Sequence, residues 1–295
     1  MKPLILSAAF GALSLAAMAA PAFAQDVEIR HAVARVIVIP EDRADIAVEI
    51  TGGAGLPRPT VERRGNEVRI DGNLGRDPVR NCRGGNGDGR QPWDGASVEV
   101  RRHGRVALSD APMIVLRTPR NVDVKAGGAV FGAVGRGARS VELGNGGCGN
   151  WTVANVDGHL EIAQGGSGAI RAGTSKDLEI ALGGSGSVLA GATRDADIAI
   201  GGSGSVNLAR ADGAVSIAIG GSGDVLVRGG SARDLDVSVA GSGDVDFRGV
   251  VGNLDATIAG SGDVKVARVT GDMKRSIIGS GEVSVGGWDL APSRR

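Results

Sequence analysis

GGSGSV stands at residues 183–188 and again, letter for letter, at 201–206. GGSGDV follows at 220–225, and AGSGDV at 240–245 and 259–264. Indexed on the serine, the corners fall at Ser167, Ser185, Ser203, Ser222, Ser242, Ser261 and Ser280, with Cys148 of GGCGNW one step earlier. The steps lie between 18 and 20 residues. Seven residues before the index come Val141, Leu160, Leu178, Ala196, Val215, Leu235, Leu254 and Met273. Five before come Leu143, Ile162, Ile180, Ile198, Ile217, Val237 and Ala256, then Arg275 as a break. Three after come Trp151, Ile170 and a run of valines from Val188 to Val283. Polar or small residues separate these columns, the period of a strand with one buried face.

A repeat this short, with two strands and no helical period, cannot bury its own face; stacked copies can. The reading is all-β: a parallel β-helix, or β-solenoid, with coils of about 19 residues. At about 4.8 Å per coil, eight corners span roughly 34 Å. Glycine at the corner is expected to supply backbone angles closed to other residues. The core is aliphatic, matching a chain with 2% aromatic residues and 51 glycines among 295.

Residues 1–24 have the layout of an export signal cut after Ala24, so an exported protein without a later membrane span is expected, with the periplasm favoured and the cell surface or secretion as alternatives. Residues 25–120 read as irregular β coils or a cap, with a long Gly-rich loop at 72–95. Regular repeats fill 121–286, and the tail 287–295, with Trp288, is expected to close the far end. Cys82 and Cys148 are the only cysteines, and export predicts that they pair.

Residues 25–139 carry 19 Lys+Arg against 15 Asp+Glu, and 140–290 carry 11 against 18. Neither half has the basic surplus of a nucleic-acid binder. No Gly-Lys dipeptide occurs and no helix follows a corner, which excludes a phosphate-binding loop. The serine elbow needs glycine two residues after the nucleophile; here stand Ala169, Ser187, Ser205, Asp224, Asp244, Asp263 and Glu282. Catalysis is therefore not expected, and the serines read as a structural ladder. The calcium-roll motif fails because Val188 replaces its aspartate. Two acid columns remain: Asp224, Asp244, Asp263 and Glu282, and Glu142, Glu161, Glu179, Asp197, Asp236 and Asp255. The first is a candidate for weak Ca2+ binding; no other cofactor is expected. Trp93, Trp151 and Trp288 are too widely spaced for a sugar-stacking track, and Trp151 falls on an inward column.

The GSGDV corners, with Asp177-Leu178-Glu179 and Asp234-Leu235-Asp236 on the strands between them, resemble the head GIN domain of auto-transporter adhesins. The resemblance covers about 120–286 strongly and 30–120 loosely. It implies an exported, adhesin-like or scaffold solenoid that presents a flat repeat surface to an envelope protein or surface glycan. The alternative is a glycan- or cation-binding module using the acid ladders or the loop around Cys82. About ten residues follow the last repeat, so no translocator barrel is expected from this chain.

Overall fold

Branched aliphatic residues on alternate positions leave each strand with one face that must be hidden from water. The computed structural model, which describes residues 26–84 and 91–286, hides it by winding the chain into a β-solenoid of about nine turns of roughly 19 residues. The expected signal segment and the closing tail lie outside the described residues.

Each strand pairs in parallel with its equivalent one coil on. His159–Gln164 pairs with Asp177–Leu182, which pairs with Asp195–Ile200, and that with Ala214–Ile219. Leu160 faces Leu178 and Ile162 faces Ile180, so like residues stack. The column through Leu143 and Ile162 also runs backwards to Val124, Val27 and Val68. It is buried from Val68 to Ala256. The long strand Asp26–Pro40 lies beside Asn121–Val134 as an earlier coil.

The expected left-handed angles occur at the later corners, at Gly241, Gly260 and Gly279, but the earlier corners need glycine for a different reason. From Gly165 to Gly223 no corner glycine has a positive φ. A β-carbon on Gly202 would instead collide with the carbonyl oxygen of Gly184 in the previous coil, and one on Gly204 with that of Gly186. Glycine is needed there so that successive backbones can approach. The first glycine of each corner is free of this demand: Gly183 and Gly201 have nothing within 4 Å of such an atom.

The N-terminal end is closed by antiparallel strands. Thr60–Arg64 pairs with Glu67–Asp71, and Ala47–Thr51 with Met113–Thr118. A separate three-stranded antiparallel sheet is built from Val79–Arg83, Ser97–Val100 and Gly104–Ala107. The stretch 72–95 is therefore not one loop: its centre is a strand, held by pairing to Ser97–Val100 and by the Cys82–Cys148 disulfide, whose Cα atoms are 6.2 Å apart. This sheet packs on the outside of the solenoid through a second core of Val98, Val100, Trp93 and Leu108 against Val33, Ala129 and Phe131. Trp93 thus serves packing, as does the fully buried Trp151. Among the described residues, no helix is long and apolar enough to cross a membrane.

Candidate functional site

The outward positions of one sheet face carry almost no side chain. Gly144, Ala163, Ala181 and Ala199 stack rung on rung. Beside them run the first corner glycines, Gly146, Gly165, Gly183 and Gly201. Together they line a groove of about 640 Å³ along the stacking direction, closed at one end by Glu28, Arg30 and Lys125. A glycine is compelled at the corners' second position but not at these, so the hollow is a property of the outward surface rather than of coil closure.

Beneath the groove the core contains a polar step. Asn145 and Gln164 are both buried in a column that continues as Leu182, Ile200 and Ile219. Asn145 Nδ2 donates to Gln164 Oε1 at 2.9 Å and to the Gly149 carbonyl at 2.9 Å, and Gln164 Nε2 donates to the Gly168 carbonyl at 3.3 Å. These amides bond the first corners internally; later corners use aliphatic packing. Alignment of the columns contains this switch, but a scan for apolar residues passes over it.

Two residues before the alanine column, on the same face, runs an acid column. Its register is Glu67, Asp26, Asp123, Glu142, Glu161, Glu179 and Asp197, then Ser216, Asp236, Asp255 and Lys274. Only part of this column is visible from the repeat spacing, because its first three members precede the first corner. Asp123 is the most perturbed. Burial pushes its carboxyl up to about 7, helped by Asp26 and Glu142 and opposed by Lys125. Lys125 Nζ lies 3.5 Å from Asp123 and 3.7 Å from Glu142. Further along, His159, Glu161 and Glu179 bring one ligand atom each within 4.8 Å of one another. His159, Asp177, Glu179, Asp195, Asp197 and Asp236 line a shallow hollow of about 320 Å³.

The other acid column has a structural use. Asp244 donates its backbone N–H to Asp224 Oδ1 at 3.0 Å, Asp263 to Asp244 Oδ1 at 2.8 Å, and Glu282 to Asp263 Oδ1 at 3.0 Å. Each carboxylate therefore staples its coil to the next. The same device recurs at the second corner, where Asp195 Oδ1 accepts from the Ala214 N–H at 2.8 Å and Asn253 Oδ1 from the Asp272 N–H at 3.1 Å. The Ala214 N–H and the Arg194 guanidinium hold the Asp195 carboxyl below its ordinary range. The serines stack likewise: Ser242 Oγ donates to Ser222 Oγ at 3.1 Å, and the Ser261 and Ser280 hydroxyls lie 3.2 Å apart. The expected pairing of Cys82 with Cys148 is present.

Residues 214–288 match the family described as "Putative auto-transporter adhesin, head GIN domain". No curated protein matches the chain. A solved "putative adhesin" from Parabacteroides distasonis ATCC 8503 is 16% identical, with 89% of this chain and 93% of that one covered and a TM-score of 0.47. A "putative lipid binding protein" from the same organism is 15% identical, with 89% and 92% covered and a TM-score of 0.46.

Proposed function

We propose that the chain is a non-catalytic exported protein of the cell envelope, adhesin-like or a scaffold, that presents its groove face to a partner. The observation that carries the reading is the groove. A hollow of about 640 Å³ crosses several coils and is lined by alanine and glycine beside an acid column. Such a surface suits an extended partner segment that lays small or apolar groups in the hollow and basic groups along its rim. The matched family, named for adhesins, points the same way. Ser222 bonds Ser242 and Ser261 bonds Ser280 between coils, which supports a structural role for the serine ladder. An envelope protein or a surface glycan is the partner class, and the periplasm the expected site of action.

The test fills the groove without disturbing the coils. Gly183→Arg and Gly201→Arg add side chains where nothing lies within 4 Å. Cross-linking in intact cells should recover a partner with the native chain and with a variant altered on the separate three-stranded sheet, but not with the groove-filled variant. Equal recovery with all three would sink the reading. Protease digestion of a tagged chain on intact and on opened cells would place it: protection until the outer membrane is breached is expected.

A cation-binding module is the second reading, favoured by the close approach of His159, Glu161 and Glu179 and by the ladder Asp224, Asp244, Asp263 and Glu282. Asn at 224, 244 and 263 keeps the acceptor oxygen and removes the charge. A thermal midpoint unmoved by millimolar calcium in the native chain would discard it.

A further inference from the structure

Beside the outer three-stranded sheet, a further cavity of about 510 Å³ is lined by Asn73, Leu74, Gly75, Arg76, Arg80, Arg101, Arg102 and His103. Four guanidiniums and an imidazole meet there, and among the described residues no carboxylate lines it. Elsewhere many arginines are matched with acids, among them Arg30 with Asp71, Arg69 with Glu28, Arg194 with Asp177 and Asp195, and Arg233 with Asp234, while others, such as Arg35 and Arg63, bond backbone carbonyls. Among the described residues, none of the four cavity arginines has an ion pair. Cations gathered without acids repel one another.

The chain also holds this cluster in place at a conformational cost. The described non-glycine residues with positive φ are His31, Asn73, Asp77 and Arg102. Two of them line the cavity, and Asp77 follows Arg76. Asn and Asp enter the left-handed region readily; arginine does so rarely. Arg102 nonetheless sits at φ 66 in the hairpin tip Arg101-Arg102-His103, just before Gly104. The tip is tied down: the Arg101 N–H donates to the Pro78 carbonyl at 2.8 Å, and His103 Nδ1 lies 3.1 Å from the Gly55 carbonyl. The opposite wall is tied as well: the Leu74 N–H donates to the His31 carbonyl at 3.3 Å, and Asn73 Nδ2 donates to the Arg58 carbonyl at 3.0 Å. Arg80 lies on the strand that also carries the disulfide cysteine Cys82. Unpaired charge and left-handed backbone in one pre-formed hollow are the marks of a site.

We propose that this cavity binds a phosphate monoester carried on a larger group, such as a phosphorylated sugar or a lipid headgroup. Planar guanidiniums bond tetrahedral oxyanions in pairs of parallel N–H···O contacts, and several of them together favour a doubly charged group over a single carboxylate. The cavity lies in the range of small-molecule sites, about 300–1,000 Å³, so it has room for more than the phosphate. Among the described lining residues, Leu74 offers the large apolar side chain for the remainder.

Binding is measured by calorimetry with inorganic pyrophosphate and by co-sedimentation with phosphatidylcholine vesicles, with and without phosphatidic acid. The full exported chain is used, with its disulfide intact. Saturable pyrophosphate binding that falls at least about 10-fold in Arg101→Gln/Arg102→Gln supports a soluble phosphoester. Sedimentation with phosphatidic-acid vesicles alone, lost in the same variant, supports a headgroup. Arg136→Gln/Arg139→Gln removes the same charge outside the cavity and should change neither result. Arg102→Gly relaxes the left-handed turn; it should raise the thermal midpoint while weakening binding, a split that a purely structural arginine would not give. No binding of either probe, or equal loss in the Arg136/Arg139 variant, overturns the proposal.

Discussion

The indole of Trp151 occupies the space that a side chain at position 132 would fill, and residue 132 is glycine. The two are partners in adjacent coils, in a buried column that reads Ile114, Val36, Gly132, Trp151 and Ile170. One ring thus fills two rungs of a column that is otherwise aliphatic. Its Nε1 is buried with no acceptor among the described residues. Trp151→Val should leave a cavity and cost about 3 kcal/mol, and Gly132→Val should clash at a similar cost. The double variant restores the valine pattern of the later coils and removes the orphaned donor. Its urea midpoint should lie near that of the native chain. Additive losses would show that the two positions do not share the space.

Asp244 accepts the Asp263 N–H, so its value to the fold is that of an acceptor oxygen. Asp244→Asn keeps such an oxygen and should leave stability within about 0.5 kcal/mol, whereas Asp244→Ala should lose about 1 kcal/mol. Chemical denaturation of both variants decides it. Equal losses would mean that the carboxylate charge, not the backbone bond, is what the column supplies.

The period, the inward columns and the disulfide were legible in the sequence because stacking forces equivalent residues into register, so spacing alone reports neighbours. The reason for the earlier corner glycines was not, although Gly241, Gly260 and Gly279 do take the expected positive φ. A repeat of Gly-Gly-Ser-Gly looks the same whether glycine serves a left-handed angle or a close backbone approach, and only the distance from Gly202 to the Gly184 carbonyl separates the two. The groove was hidden for a related reason: Ala181 and Ala199 look like filler in a strand until their neighbours are known to be Gly183 and Gly201. The arginine cavity was out of reach altogether. Its walls lie about 25 residues apart in an aperiodic region, and the fold of the separate three-stranded sheet brings them together.

Asp123 gives the fold a pH dependence. Burial holds its carboxyl near 7, above the unfolded value of about 3.9. Between those values the folded chain keeps a proton that the unfolded chain has lost, so stability falls as pH rises from about 4 to about 7 and then levels. Lys125 offsets part of the penalty. Asp123→Asn should flatten this slope and raise stability at pH 8 by about 2–4 kcal/mol, leaving stability at pH 4 nearly unchanged. Thermal midpoints across the range would show it. A slope that survives in the variant would place the titrating group elsewhere.

The two ends of the solenoid are treated differently. At the start, antiparallel strands close the stack. At the other end, Met273–Gly279 pairs with the coil before it, and among the described residues its outer edge is unpaired. Met273, Ile277 and Ile278 are exposed there. An open edge of this kind invites pairing with another chain. The column Leu143, Ile162, Ile180, Ile198, Ile217, Val237 and Ala256 ends in Arg275, an inward position given a charge. A further coil stacking here would have to desolvate that guanidinium, which opposes end-to-end growth. Arg275→Val should therefore promote concentration-dependent association in sedimentation velocity, with the native chain as reference. Should the variant sediment like the native chain, Arg275 is not the guard, and protection of this edge must come from elsewhere in the chain, with the nine residues beyond Gly286 the next to be tested by truncation.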